Sequence, residues 1–323
     1  MQIDTLSSGA DGAHNEDLVA VFEHGGVTDI VILDGGTSVA DKNYIDDDMG
    51  DVVWFVRNFC KVLKAVLDEA AQERQRPPRS QEDCLALAMG ALRARLHAQA
   101  DPAAIPDYAW PIAAMTWLRV RQEGGDGGDD GGKGGNAGDR AINVQAYCLG
   151  DCKSFACLPD RTVLDLDPYV NPQELVLQTE ILKLRQSGVT GADARRALLL
   201  PMLRERRAFL NAAPAPTVLC LAPRGPFAAR TRTVALAPGA ALLAMTDGFY
   251  RIVDTYHLLT DDALADLCLR QGLAAAHTLL RDHEAGKAPS QGDAAAREPN
   301  ATVKSADDAS AVLATFGQEP GAA

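Results

Sequence analysis

The chain has 323 residues, 47% of them hydrophobic and 23% charged, which is long and apolar enough to bury a core and leaves one domain as the default. Its 31 Lys and Arg against 44 Asp and Glu give a formal net charge of −13, which argues against nucleic acid and against an anionic membrane surface as partners. No run approaches the roughly 18 to 20 apolar residues of a spanning helix, and the start at Met1-Gln-Ile-Asp4 has neither the basic nor the apolar part of a signal peptide, so the chain reads as cytoplasmic.

Leu18 to Glu23 and Val27 to Leu33 are short β-branched runs around His24-Gly25-Gly26, the pattern of a hairpin. From 50 to 70, Val52, Phe55, Val56, Phe59, Leu63 and Val66 recur at three- and four-residue spacing and predict an amphipathic helix. Pro77-Pro78 closes it, and Ser80-x-x-Asp83 opens a second helix that reaches about Ala100. Ile112 to Val120 and Ile142 to Cys148 read as strands joined by an overgrown, Gly-rich, disordered loop at 123–138. Helices follow at 172–187 and 190–211, the second ending on Arg204, Arg206 and Arg207. Strand-like runs at 217–222, 231–236 and 240–246 lead into one helix from about Asp261 to His283, a polar loop at 286–304, a last strand from Ser310 to Phe316 and a disordered tail at 318–323. Strands at both ends with helices segregated between them predict an α+β fold of two sheets covered by helices, in a single unit over 1–317. The seven cysteines are odd in number and scattered, as buried reduced thiols are; Cys148, Cys152 and Cys157 lack both C-x2-C spacing and a His, which argues against zinc.

Acidic residues stand at the strand ends. Glu16 and Asp17 precede the first strand, and Asp34-Gly35-Gly36 follows the second. In a hairpin centred on Gly25, residues whose numbers sum to about 50 face each other, so Glu16 is expected opposite Asp34 and Asp17 opposite Leu33. Three carboxylates then share one rim, where they are either solvated or neutralised by a divalent cation. Further on, the apolar run to Met245 and Thr246 ends on Asp247-Gly248, and Asp307-Asp308 precedes the final strand. Hard cations such as Mg2+ and Mn2+ take oxygen ligands, and a Gly after the Asp admits a carbonyl or a water at close range. A lone Asp-Gly is equally a turn. The pairing argument covers the first hairpin, and convergence of the later sites does not follow from it.

His14-Asn-Glu-Asp17, Val31-Ile-Leu-Asp-Gly35, Leu149-Gly-Asp-Cys152, Ala244-Met-Thr-Asp-Gly248 and Ala306-Asp-Asp-Ala-Ser310 follow one another in this order. Together they resemble the successive motifs of the metal-dependent serine/threonine protein phosphatases of type two C, in their bacterial branch. The resemblance implies a four-layer αββα sandwich, with two antiparallel sheets flanked by helices, and a binuclear Mn2+ or Mg2+ centre at one end. It implies that Asp34 bridges both cations, that Glu16 and the Gly35 carbonyl hold one, and that Asp247 and Asp307 hold the other. Asp17 stands behind them, and Asp151 falls where bacterial members hold a third, looser cation. Residues 160–215 occupy the place of a variable flap. The implied chemistry is hydrolysis of phosphoserine and phosphothreonine on a phosphoprotein substrate, by a water that both cations acidify and that attacks phosphorus in line. No Cys-x5-Arg loop, Gly-x-Ser-x-Gly elbow or Walker sequence competes with it.

Two positions depart from that family. An Arg that grips the substrate phosphate usually stands four residues before the metal-binding Glu, where this chain has Gly12, and the His that eukaryotic members carry after Asp-Gly is Gly36. The first Lys or Arg is Lys42; His14, Lys42, Arg204, Arg206 and Arg207 are the candidates to replace the clamp. Two alternatives stand beside the enzyme: a non-catalytic regulatory or binding module on the same scaffold, and an aspartyl-nucleophile phosphatase read from Ile32-Leu-Asp34-Gly-Gly-Thr37. The latter motif requires an Asp where Ile32 stands.

Overall fold

Apolar residues that alternate along strands and recur every three or four positions along helices force these elements into layers. The computed structural model describes residues 1–10, 14–72, 79–122, 141–286 and 306–317. Gly12, Pro77-Pro78, the Gly-rich loop at 123–138, the polar loop beyond Gly286 and the tail at 318–323 lie outside the described residues.

The chain opens with β1 (Gln2–Ser8), β2 (Leu18–His24) and β3 (Val27–Gly35), then α1 (Asp51–Gln72) and α2 (Gln81–Gln99). Next come β4 (Ile112–Gln122), β5 (Ile142–Leu149), β6 (Lys153–Cys157) and β7 (Val163–Asp165), followed by α3 (Pro172–Gln186) and α4 (Ala192–Ala212). The last part holds β8 (Leu219–Cys220), β9 (Arg230–Leu236), β10 (Ala241–Met245), α5 (Asp247–Asp254), α6 (Asp261–Gln271), α7 (Leu273–Glu284) and β11 (Ala309–Thr315). One sheet runs β1-β11-β10-β6-β7 and the other β2-β3-β4-β5-β9, with β8 beside β4, and every pairing is antiparallel.

Each sheet is apolar on both faces, which is why β3 reads as a continuous run. Val31 and Leu33 turn outward against Phe55, Phe59 and Leu63 of α1 and Met89 of α2. Ile30 and Ile32 turn inward, toward Leu242, Ala244 and Val312 of the other sheet. Leu243, Met245 and Leu313 turn outward again, under Phe249, Leu264 and Leu280 of α5, α6 and α7. The layers are therefore helix, sheet, sheet, helix, the α+β architecture expected. Phe55 and Phe59 are 0% exposed, and each such burial stabilises the fold by about 1.5 to 3 kcal/mol.

Several elements differ from the sequence reading. β1 escapes it because Gln2–Ser8 is mostly polar and forms a sheet edge. β6 and β7 are too short to show a period. The helix expected over 261–283 breaks at Gly272, whose φ of +81° ends α6 before α7 begins. Of 217–222, Leu219 and Cys220 pair with β4, and the segment at 160–215 begins with a strand before it turns helical.

The hairpin register is a correction. Gly25 and Gly26 both have positive φ, 54° and 79°, so the turn has two residues and its centre lies between them. Leu18 therefore pairs with Leu33, and paired numbers sum to 51 rather than 50. Continuing the ladder puts Asp17 opposite Asp34 and Glu16 opposite Gly35, whose N–H donates to the Glu16 carbonyl at 3.2 Å. A one-residue slip exchanges the faces, so Asp17, not Glu16, shares the inner face with Asp34.

Among the described residues no helix is long and apolar enough to cross a membrane. All seven cysteines are buried and free of disulfides. Asp29, 0% exposed, accepts from Trp117 Nε1 at 2.6 Å and Arg119 Nε at 2.8 Å, and lies 2.7 Å from His24 Nε2. Burial alone would raise its pKa, yet the bonds from His24 and Arg119 outweigh burial and hold it below 3.8. The stabilisation is thus present above pH 3.8 and is lost as pH falls through the lower folded-state value. Asp29→Ala is expected to cost about 3 to 5 kcal/mol, because it strands a buried guanidinium; urea unfolding of the two proteins at neutral pH measures it.

Candidate metal centre at the sheet rim

Antiparallel pairing decides which chain ends meet. The start of β2 and the end of β3 share a rim, Met245 at the end of β10 pairs with Ala311 near the start of β11, and Lys153 at the start of β6 pairs with Met245. Every acidic motif of the sequence precedes or follows one of those ends. Stacking of the sheets then closes the distance, for Thr246 Oγ1 beyond β10 donates to Asp17 Oδ2 before β2 at 2.8 Å. Thr246 Oγ1 also accepts from Ser310 N–H at 3.0 Å, which ties a third chain end to the same point.

The two Asp-Gly pairs are close approaches, not turns. A Cβ on Gly35 would lie 2.5 Å from both the Glu16 carbonyl and Val52 Cγ1, and one on Gly248 would overlap the Asp308 carbonyl. Gly35 ends β3, and Gly248 sits in the first turn of α5. Asp151 is set by Gly150, whose φ of +76° brings it against Ala114. Gly150 N–H donates to the Thr217 carbonyl at 2.7 Å.

The aspartates strain against one another. Asp34 is pushed well above the usual carboxyl range by desolvation, by Asp247 and Asp17, and then by Asp307. Asp17, 6% exposed, is raised by burial against the lowering bond from Thr246, with Asp247 and Asp308 adding repulsion. Asp247 rises to about 7 through lost hydration and repulsion from Asp151 and Asp307. Its surface is nonetheless open to solvent, so that shift reflects a crowded concave setting rather than enclosure. Contact between the two carboxyls raises Asp34 further and partly offsets the rise at Asp247.

Neighbours fix the remaining groups. Asp308 accepts from Ala10 N–H at 2.8 Å and from Glu16 N–H at 2.6 Å. Glu16 Oε2 accepts from Thr37 Oγ1 at 2.7 Å. Asn171, which caps α3, donates to Asp151 Oδ2 at 2.8 Å. Arg281 Nη2 of α7 donates to the Asp307 carbonyl at 2.7 Å. Thr37, Asn171, Thr246, Arg281 and Asp308 were not singled out as supports by sequence reasoning, since short polar side chains carry no period. His14 is exposed on the loop before β2, and Lys42 lies over the Tyr44 ring at 4.9 Å. Neither is among the leading charges that act on the aspartates.

Among the described residues no three His, Cys, Asp or Glu side chains already converge as the ligands of one ion. The donor set is all carboxylate and carbonyl oxygen, which suits Mg2+ or Mn2+ and not a thiolate- or imidazole-seeking metal. The crowded acids and their chemistry fit hard divalent cations.

No protein-family model and no curated protein sequence matches the chain. Solved structures do. A serine/threonine phosphatase of S. agalactiae has a TM-score of 0.51 at 12% identity, over 97% of this chain and 99% of that one. A phosphatase of Toxoplasma gondii has 0.52 at 12%, over 99% and 94%. The chain thus carries the fold of the type two C serine/threonine phosphatases.

Because Asp17, Asp34 and Asp247 hold their protons more tightly in the folded chain than in the unfolded one, the stability they contribute without metal is fullest below pH 3.8 and declines as pH rises, through about 7 for Asp247. Thermal melts of chelator-treated protein across that interval check the sign. Asp34→Asn flattens the decline and raises the melting temperature at neutral pH.

Proposed function

We propose that the protein is a metal-dependent phosphatase acting on phosphoserine and phosphothreonine in proteins. The observation that carries this reading is the gathering of Asp17, Asp34, Asp151, Asp247 and Asp307 at one rim of two sheets of phosphatase fold, where burial first and neighbouring carboxylates second push Asp17, Asp34 and Asp247 up. Carboxylates in such company are costly unless a cation takes their charge.

In this reading Asp34, with Glu16 and the Gly35 carbonyl on one side and Asp247 and Asp307 on the other, would hold two Mn2+ or Mg2+ ions. Asp151 holds a third, loosely. When bound, these ions would neutralise phosphoryl charge and lower the pKa of an attacking water. The chain's own groups do the positioning. Thr37 aims the Glu16 carboxylate, and Asp308 fixes the Glu16 backbone. Thr246 holds Asp17 behind the ligands, and Arg281 fixes the Asp307 backbone. His14 is a candidate to meet the substrate phosphate, with Lys42 as the second. A cytoplasmic setting agrees with seven buried, free thiols.

A second reading, a non-catalytic binding module, is favoured by one specific observation: Gly12 stands where the type two C phosphatases carry their phosphate-gripping Arg. Mn2+ titration with a small aryl phosphate and a phosphothreonine peptide separates the two. Turnover that needs Mn2+ or Mg2+ supports the enzyme; tight Mn2+ binding without turnover supports the module. In the enzyme, Asp34→Asn, Asp247→Asn and Asp307→Asn each lose at least about tenfold in kcat, since a metal-held water contributes several kcal/mol. Activity kept by any of these variants would remove that residue from the ligand set.

A further inference from the structure

Helix α4 meets the rest of the protein in an unusual way. Its buried residues are Leu199, Arg207 and Asn211, so little apolar surface attaches it. Instead Arg196, Arg204 and Arg207, on one face, reach successive backbone carbonyls of the segment that follows Asp34-Gly35. Arg207 Nη2 donates to the Gly36 and Thr37 carbonyls, both at 3.1 Å. Arg196 Nη2 donates to the Ser38 carbonyl at 2.9 Å, and Arg204 Nε to the Val39 carbonyl at 2.8 Å.

The path from Arg207 leads straight to Glu16. Thr37, whose carbonyl Arg207 holds, turns its hydroxyl to Glu16 Oε2 at 2.7 Å. Gly36 N–H donates to the Ile112 carbonyl at 2.9 Å, and Gly35 N–H to the Glu16 carbonyl at 3.2 Å. Gly36 leaves just enough room, since a Cβ there would lie 3.0 Å from Arg207 Nη2. Arg207 is 8% exposed, and the opposing charge that acts on it most strongly is that of Glu16. A guanidinium is suited to this task because its fixed, planar donors hold two carbonyls at once and it stays charged when buried.

We infer that Arg207 is a positioning residue that couples the flap helix α4 to the Glu16 and Gly35 side of the site, so that docking of the flap and binding of a cation there strengthen each other. The cation half of this inference rests on the proposed metal centre; the mechanical half, that α4 holds the Gly35–Thr37 segment, does not. Linkage makes the effect reciprocal: whatever lifts α4 weakens the ion, and the ion tightens α4. Arg204, one turn away, grips Val39 and Asp41, beyond the Thr37–Glu16 contact.

Two measurements on the full chain test it. Amide exchange in the metal-free protein reads the latch directly: Arg207→Ala speeds exchange at Gly35 and Gly36 by at least about tenfold while Val144 of β5 is unchanged, and Arg204→Ala leaves Gly36 within about twofold. Calorimetric Mn2+ titration reads the coupling: Arg207→Ala weakens binding about 10- to 100-fold, as loss of a group that orients a ligand does. Arg207→Lys, which keeps charge and donors, falls between. Should Arg207→Ala raise exchange at Val144 as well, it has unfolded, and Arg207→Gln takes its place. Unchanged exchange at Gly36, or an equal effect of Arg204→Ala, overturns the latch. Faster exchange with unaltered Mn2+ affinity overturns the coupling. If the wild-type chain binds no Mn2+, the metal centre itself fails, and Gly36 exchange still decides the latch.

Discussion

Repulsion among carboxylates at one rim of the sandwich is the constraint to which the rest of the structure answers. Asp17, Asp247 and Asp307 each raise the cost of ionising a neighbour, on top of what burial costs, and the packed strands hold them together nonetheless. Three packed layers of apolar side chains fix the strands from which these residues project. Acids crowded into such a setting hold their protons more tightly, as burial and the neighbouring carboxylates make Asp34 do. In the proposed metal centre, the same repulsion would favour a small, highly charged ion.

Rigidity at that rim comes from close chain approach. Gly35 and Gly248 let neighbouring backbone come nearer than any side chain would allow, so the acids beside them are set by main chain and not by rotamer choice. Thr246 takes this further with a single hydroxyl that donates to Asp17 and accepts from Ser310 N–H, joining chain segments more than sixty residues apart. A rotation of either sheet would break that junction. The fold therefore fixes the backbone from which the acids project.

Much of this was legible in the sequence, for reasons that particular residues make plain. Val52 to Val66 has a strong period and gave a helix; Val27 to Leu33 has β-branched character and gave a strand. The acidic motifs stood out because a carboxylate at the end of an apolar run is unusual. What was missed has weak local signal. Gln2–Ser8 becomes a strand through pairing with β11, about three hundred residues away, which no window of sequence contains. The hairpin register turned on whether the turn used one glycine or two, a difference that backbone angles decide. Supports such as Thr37, Asn171 and Arg281 act through contacts between distant elements, so their roles arise only when the sheets stack.

The contrast between the core and the flap carries the last step. Helices α1, α2, α5 and α7 lie on the sheets through buried aliphatic and aromatic surface, which is non-directional and tolerates little separation. Helix α4 is fastened by guanidinium groups to backbone carbonyls, and Asn211 at its end donates to the Trp110 carbonyl at 3.1 Å. Hydrogen bonds of this kind are directional and exchange readily with water, each worth about 1.5 to 3 kcal/mol where a charge takes part. An element held so depends on the geometry of those bonds rather than on the apolar core. It also docks on the very segment that follows Asp34-Gly35, and through Asn171, which accepts from Arg206 at 3.2 Å, on the residue beside Asp151. The chain thus sets an acidic rim beside a cationic helix and fastens that helix, by directional bonds, to the backbone that carries the rim.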